Sequence, residues 1–319
     1  MENALLLSLS TTNVDALQLL YLARGVPPER PFIPAIRFKL DIQSDVNCKS
    51  DFRFDRATIY ALTLHFALPE YVVTRNRDKV HCTEALCILL YRLSYPRRNL
   101  DLSSKFGRAE GPISRIFSHM IVYLYDRYNT LIYFHKSLCR RSIATYASAV
   151  EARSAPMPNV FGFIDGTKIA ISRTSSRRGH RENLQKQVYS GHKRVHCLTY
   201  QSVVVPDGLA IHFWGPIEGK RHDVTLLYES KLVKFFETQD DIFRGYALYG
   251  DPAYPIQQYI VSGYKGASLS ALEKILNARM SSVRESVEWK FAHLKSYWAF
   301  IDYKNFGLVP PPFAEYLKA

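Results

Sequence analysis

Two short apolar segments of the sequence each end in an aspartate, and this arrangement constrains the fold more than any other feature. The segments are FGFID, which ends at Asp165, and ALYGD, which ends at Asp251. Short apolar runs bounded by Gly or Pro are typical of buried strands. If the two strands are neighbours in one sheet, both carboxylates emerge at the same edge. The sequence therefore predicts an acidic site at a sheet edge.

The first segment also predicts a hairpin. In FGFIDGTKIAI, apolar residues lie on both sides of Asp165-Gly166, and an Asp-Gly pair favours a tight turn. We expect two strands that reverse at Gly166, with Asp165 held at the turn.

The remainder of residues 160–319 alternates between strand and helix patterns. VHCLTYQSVVV and LAIHFWG flank the turn Pro206-Asp207-Gly208, an amphipathic helix is expected from about Val224 to Glu237, and a long helix from about Ser270. Together these elements predict an α/β domain with a mixed sheet and flanking helices.

The long helix carries a third acid, Glu288, beside an apolar stripe. Arg284 precedes Glu288 by one turn, Lys295 follows it by two, and both are expected to contact DNA. The stripe repeats at alternating threes and fours, which is typical of a helix packed on a core; it comprises Leu276, Met280, Val283, Val287, Phe291, Leu294 and Trp298.

The first 150 residues divide into an N-terminal extension, 1–75, and a helical region, 76–150. One helix is expected from Thr83 and a short one over Asp101–Phe106, closed by Gly107. A third is expected to begin at Pro112, a favoured first helical residue. Helix, turn and helix is the outline of a helix-turn-helix, which would offer Arg115 to DNA. The segment EARSAPMPN, 151–159, is the expected boundary before the α/β domain.

The charge of the chain favours a phosphate-rich partner. The sequence has 42 Lys and Arg against 29 Asp and Glu, a formal net charge of +13. Such an excess suits nucleic acid or an anionic membrane surface, but no apolar run is long enough to span a bilayer. Basic residues are concentrated between the predicted strands, where they would contact DNA phosphates: Arg173, Arg177, Arg178, Arg181, Lys186, Lys193 and Arg194.

Asp165, Asp251 and Glu288 together are suited to divalent metals. Carboxylate oxygens bind Mg²⁺ or Mn²⁺, and two such ions can activate the attacking oxygen and stabilise the leaving oxygen of a phosphodiester. Taken singly, the two aspartates are explained as turn residues and Glu288 as a solvated helix acid; their order along strand, strand and helix favours catalysis. Asp223 is open to two interpretations, a helix N-cap or an accessory residue beside the metals.

Five ordered motifs resemble the DDE endonuclease domain of PIF/Harbinger-type transposases and of proteins derived from them. They are IDGTKIAI, YSGHKRVH, GPIEGKRHD, YGDPAYP and LNARMSSVRESVEWKFAHLK, and they extend over about 160–305. Upstream, CILLYRLSYPRRNLDLSSKFGRAEGPISRI resembles the helix-turn-helix that precedes this domain.

The resemblance implies an RNase H-like fold and a catalytic triad of Asp165, Asp251 and Glu288. Asp165 would bridge two metal ions, and each of the other two acids would hold one. The implied activity is metal-dependent DNA cleavage, with joining of DNA ends through a 3′-OH. The chain departs from the family pattern at Ala292, where a glycine is common, and in the short segment after Trp298.

The resemblance also implies DNA as the partner, the nucleus as the location, and a separate Myb-like protein for DNA recognition and import. A homo-oligomer is compatible with the sequence, which does not specify the oligomeric state. Two alternatives stay open. A domesticated DNA-binding protein that no longer cuts would retain the same motifs. A small-molecule phosphatase could use the acids but explains neither the basic loop nor the helix-turn-helix pattern.

Overall fold

The computed structural model describes residues 33–35, 37–153, 155–172, 184–266 and 268–302, and gives the backbone alone for residues 184, 285–295 and 302. The N-terminal elements are α1 (Asp45–Phe52), α2 (Arg56–His65), β1 (Tyr71–Val73), β2 (Lys79–His81), α3 (Cys82–Ser94), α4 (Asn99–Phe106) and α5 (Glu110–Tyr133). They are followed by α6 (Lys136–Ala152), β3 (Val160–Ala170), α7 (Leu184–Val188), β4 (Tyr189–Ser190), β5 (Val195–Val204) and β6 (Ala210–Glu218). The last elements are α8 (Asp223–Ser230), α9 (Leu232–Thr238), α10 (Asp240–Phe243), β7 (Ala247–Gly250), β8 (Ile260–Ser262), α11 (Ala271–Tyr297) and a 3₁₀ turn (Ala299–Asp302).

The N-terminal helices form one hydrophobic core. The side chains of Ser44 and Asp55 accept hydrogen bonds from backbone amides of α1 and α2, so each helix begins at a capping residue. Phe52 of α1 lies in the same buried cluster as Leu86 of α3 and Ile116 of α5. The predicted boundary between 1–75 and 76–150 falls between the paired strands β1 and β2, so residues on both sides of it contribute to this core.

The three helices predicted in the helical region are present as α3, α4 and α5, and their role as a helix-turn-helix stays a prediction. Gly107 ends α4 with a left-handed φ of 62°, as its sequence position predicts. Helix α5 begins at Glu110, two residues before Pro112. Contact between these helices and DNA stays a prediction.

Helix α6 covers one face of the sheet. Its residues Cys139, Ile143 and Ala147 are buried in one cluster with Phe161 and Ile164 of β3. Residues 136–150, predicted with the helical region, therefore pack on the α/β part of the chain.

The sheet is mixed, with helices on both sides, as predicted. Its order is β4-β5-β3-β7-β8, with β6 paired to β5. Strands β3, β5 and β6 are antiparallel neighbours, whereas β7 and β8 run parallel to β3. Among the described helices, none is long and apolar enough to cross a membrane.

The hairpin expected at Asp165-Gly166 is wrong. Strand β3 runs without reversal from Val160 to Ala170, and its pairing with β5 is continuous from Phe163 to Ala170. The local turn preference of Asp-Gly is outweighed because β5 supplies an antiparallel partner across the whole segment.

The single helix expected over Val224–Glu237 is also wrong. It is divided into α8 and α9 at Lys231, which has a left-handed φ of 56°. Leu227 and Phe236, one from each helix, are buried in the same core, so the break serves the packing of both.

Candidate active site

Asp165 and Asp251 emerge side by side from parallel strands. Ile164 of β3 pairs with Gly250, the last residue of β7. Asp165 directly follows Ile164, and Asp251 directly follows Gly250. Strand β7 ends at this point, whereas β3 continues along β5. The predicted acidic edge is therefore the edge at which β7 ends.

Helix α11 lies over the face of the sheet on which Asp165 projects. Met280 of α11 is buried with Phe163 and Tyr249, two residues before the two aspartates. Alternate residues of a strand face the same side, and Arg284 Nη1 lies 3.9 Å from Asp165 Oδ1. Arg284 follows Met280 by four residues, so both lie on the same face of α11.

Glu288 belongs to the same helix, four residues after Arg284. Its backbone is helical, as predicted, but its side chain lies outside the described part of the structure. The same holds for the side chain of Lys295. The helical spacing places residue 288 one turn beyond the contact with Asp165.

Asp223 approaches from the opposite face of the sheet. It is the first residue of α8, and His222 occupies the N-cap position, so the N-cap interpretation of Asp223 is wrong. Its carboxylate instead lies against Gly166: a Cβ at residue 166 would be 2.7 Å from Asp223 Cγ. Gly166 therefore provides space for a carboxylate rather than a chain reversal.

The three aspartates share one electrostatic environment. Burial raises the pKa of Asp223 above its ordinary value, Asp251 raises it further, and Lys168 and His222 lower it. Lys168 is held nearby, with its ammonium donating to Ser190 Oγ at 3.1 Å and to the Gly219 carbonyl at 3.2 Å.

Tyr254 is buried beneath this group. Its side chain is 1% exposed, and its hydroxyl has no hydrogen-bond partner within the described part of the chain. Burial raises its pKa well above the ordinary value, and charges on Asp223, Asp165 and Asp251 raise it further.

A cleft of about 910 Å³ opens onto these residues. Its lining combines Asp165, Asp223 and Asp251 with a set of cationic side chains, namely Lys168, Lys193, Lys220 and Arg221. A cleft lined by both signs of charge is suited to a metal-bound anionic substrate.

The aspartates fit a divalent cation by donor type. No three His, Cys, Asp or Glu side chains within the described ranges form a ready-made metal site. Asp165 Oδ1 lies 3.9 Å from Arg284 Nη1, and Asp251 Oδ1 accepts a hydrogen bond from the Ala253 amide at 2.8 Å. Asp223 accepts no hydrogen bond from the residues that the structure describes, although it is half-buried. A buried carboxylate without a donor is costly unless a cation compensates it.

The predicted DNA-binding residues have different environments. Arg173, Arg177, Arg178 and Arg181 lie outside the described residues. Lys193 lines the cleft, and Arg194 is exposed in the turn before β5. Arg115 is bound to Asp78 by two contacts of 2.6 and 2.8 Å, which lower the pKa of Asp78 to about 2.

Sequence reasoning missed several cleft residues. Lys168 follows Gly166 by two positions in β3, so the strand period would have placed both on one face. Lys220 and Arg221 directly precede His222-Asp223 in the motif GKRHD, so their position beside a candidate acid was visible in the sequence. Tyr254 had no signal beyond its position after Asp251.

Comparison with known proteins gives one family match. No curated protein and no solved structure matches the chain. Residues 164–309 match the model of a family described as DDE superfamily endonuclease. The match begins one residue before Asp165 and includes Asp223, Asp251 and Glu288. The α/β part of this chain is therefore similar to the DDE superfamily endonucleases.

Proposed function

We propose that the protein is a metal-dependent DNA endonuclease of the transposase type. The observation that carries the proposal is the adjacent emergence of Asp165 and Asp251 under helix α11, within the region that matches the DDE endonuclease family. In this proposal Asp165, Asp251 and Glu288 hold two Mg²⁺ or Mn²⁺ ions. When bound, these ions would activate the attacking oxygen and stabilise the leaving oxygen.

The chain's own residues support a nucleic-acid substrate. Lys193 and Lys220 line the cleft beside the aspartates, where they would bind backbone phosphates and position the duplex. Arg221 lines the cleft as well, but its guanidinium is paired with Glu218 at 3.1 Å. Lys168 is fixed by two hydrogen bonds and offsets part of the negative charge around Asp223.

The finer classification is part of the same proposal. The motifs IDGTKIAI, YGDPAYP and VRESVEWKF support a PIF/Harbinger-type protein with an RNase H-like fold that could also join DNA ends. Action in the nucleus with a separate Myb-like partner follows from that resemblance. Imaging a fluorescent fusion with and without such a partner would test it.

A plasmid-nicking assay tests the proposed activity. The wild type should nick supercoiled DNA with Mg²⁺ or Mn²⁺ and not with EDTA. Asp165→Asn, Asp251→Asn and Glu288→Gln should each lower the rate by at least about a hundredfold, since each removes a group required in the transition state.

Glu229→Gln is the matched control, because Glu229 is an exposed acid outside the cleft lining. It should cut at the wild-type rate. Cleavage that survives all three substitutions would refute the triad. DNA binding without cleavage by the wild type would favour the alternative, a domesticated DNA-binding protein.

A further inference from the structure

We propose that Asp223 is a fourth metal-binding carboxylate of the site, and that residue 166 is a glycine because Asp223 occupies the space of a side chain there. The proposal rests on the proposed function and extends it beyond the triad of Asp165, Asp251 and Glu288.

The geometry around Gly166 is the first support. A Cβ at residue 166 would lie 2.7 Å from Asp223 Cγ, a separation that real Cβ atoms do not show. Residue 166 is in the interior of β3, where glycine is normally unfavourable, and it adopts no left-handed φ that would require glycine. The close approach of Asp223 therefore accounts for the glycine.

The surroundings of the Asp223 carboxylate are the second support. Asp223 is not the N-cap of α8 and receives no hydrogen bond from the described residues. Burial and the like charge of Asp251 raise the pKa of Asp223, while Lys168 and His222 lower it. A half-buried carboxylate beside another carboxylate is unfavourable unless a further cation binds.

Tyr254 is an independent indication of a ligand. Its hydroxyl is buried and unpartnered within the described ranges, and it interacts electrostatically with Asp223, Asp165 and Asp251 together. A buried hydroxyl without a partner indicates a bound water or ion, and a hydrated cation among the three carboxylates would supply an acceptor for it. The cation would also stabilise the group as a whole.

The test is metal binding by the full chain without DNA. In calorimetric titrations with Mn²⁺ alone, Asp223→Asn should raise the dissociation constant at least about tenfold, as expected when a charged metal ligand is lost. Gly166→Ala should weaken binding similarly, because the new Cβ displaces the Asp223 carboxylate. Glu229→Gln, an exposed acid on the same helix α8, should bind Mn²⁺ like the wild type.

Thermal unfolding supplies a second readout. In EDTA, Asp223→Asn should unfold at the wild-type temperature or above it, because the change removes repulsion with Asp251 without removing a hydrogen bond. With Mn²⁺, the wild type should gain more stability than the variant. If Asp223→Asn unfolds earlier in EDTA and keeps wild-type Mn²⁺ affinity, Asp223 is structural and the proposal is wrong.

The outcomes separate this proposal from the proposed function. Wild-type Mn²⁺ affinity in Asp223→Asn, with loss of affinity in Asp165→Asn, overturns only the role of Asp223. Absence of Mn²⁺ binding and of DNA cleavage by the wild type overturns both.

Discussion

His212 is a fully buried histidine that joins three parts of the molecule. Its Nδ1–H donates to the Tyr133 carbonyl at the end of α5, which leaves Nε2 to accept from the Gln201 amide at 3.2 Å. The same amide donates to Ser230 Oγ of α8 at 3.1 Å. Burial lowers the pKa of His212 to about 4, with the hydrogen bond to Tyr133 opposing the shift. The ring is therefore neutral in the folded protein at neutral pH.

This environment predicts a pH dependence of stability. In the unfolded chain the pKa of this histidine is near its ordinary value of 6.5, so between that pH and about 4 only the unfolded state binds the proton. The contribution of His212 is therefore complete above about pH 6.5 and is lost as the pH falls towards about 4, by up to about 1.4 kcal/mol per pH unit.

Urea unfolding at about pH 7 and about pH 5 measures this effect. His212→Gln should show a smaller loss of stability on acidification than the wild type. His65→Gln, at an exposed position, should keep the wild-type difference. Equal pH dependence in wild type and His212→Gln would contradict the prediction.

At the scale of elements, α11 is attached at both ends to different parts of the chain. Its N-terminal half packs on the sheet through Met280. At its C-terminal end, Arg53 Nε donates to the Tyr297 carbonyl at 3.2 Å and Arg53 Nη2 to the Ser94 carbonyl at 3.3 Å. Trp298 lies against Phe54, with ring centroids 6.2 Å apart. The helix that carries Glu288 is thus held by the N-terminal helices as well as by the sheet.

Trp298→Ala should weaken this attachment. Because Trp298 is only half-buried, we expect a loss of about 2 kcal/mol, below the range for a fully buried tryptophan. Chemical denaturation measures the loss, and amide exchange should accelerate in the last turns of α11. Leu272→Ala, in the first turn of α11, is the control, since Leu272 is 79% exposed and its replacement should cost less than about 0.5 kcal/mol. Equal effects of the two changes would argue against the attachment.

For the whole molecule, the question is which part of the +13 net charge is available to DNA. Arg115 was predicted to contact DNA, but its guanidinium is bound to Asp78 in a two-contact ion pair. Lys193 and Lys220 line the cleft beside the aspartates. The structure therefore favours the cleft, rather than the start of α5, as the surface for phosphates.

The salt dependence of DNA binding tests this distribution. Log K for DNA falls as log salt rises. Replacing both Lys193 and Lys220 with Ala should make this fall less steep by about 2, since each phosphate contact contributes about 0.9 to the slope. Arg115→Ala should leave the slope unchanged, because its charge is already paired. An unchanged slope in the double variant, or an equal fall in Arg115→Ala, would argue against the cleft as the binding surface.

The strands, turns and helices that depend on local sequence patterns were the predictable part of the fold. β5, the turn at Pro206-Asp207-Gly208 and β6 follow from alternation and turn chemistry, and α11 follows from its apolar stripe. Local preference misled at Asp165-Gly166, because pairing with β5 outweighed the tendency to turn. The helix break at Lys231 was not predictable, because no Gly or Pro marks it in the sequence.

The sequence singled out the acids of the candidate site, but not their geometry or the cationic residues beside them. The positions of Asp165 and Asp251 directly after short apolar runs are visible in the sequence, whereas their adjacency depends on the parallel register of β3 and β7. Such a register is set by long-range packing rather than by either segment alone. The approach of Asp223 to Gly166 depends on tertiary structure in the same way.

The packing of α6 on β3 sets a limit for protein engineering. Phe134, at the end of α5, lies in one core with α6, Phe161 and Phe243. A shortened gene that starts at residue 160, near the beginning of the family match, would uncover this apolar face and yield an aggregation-prone product. A fragment intended to contain the candidate active site and remain folded would therefore have to begin within α5, well before Asp165.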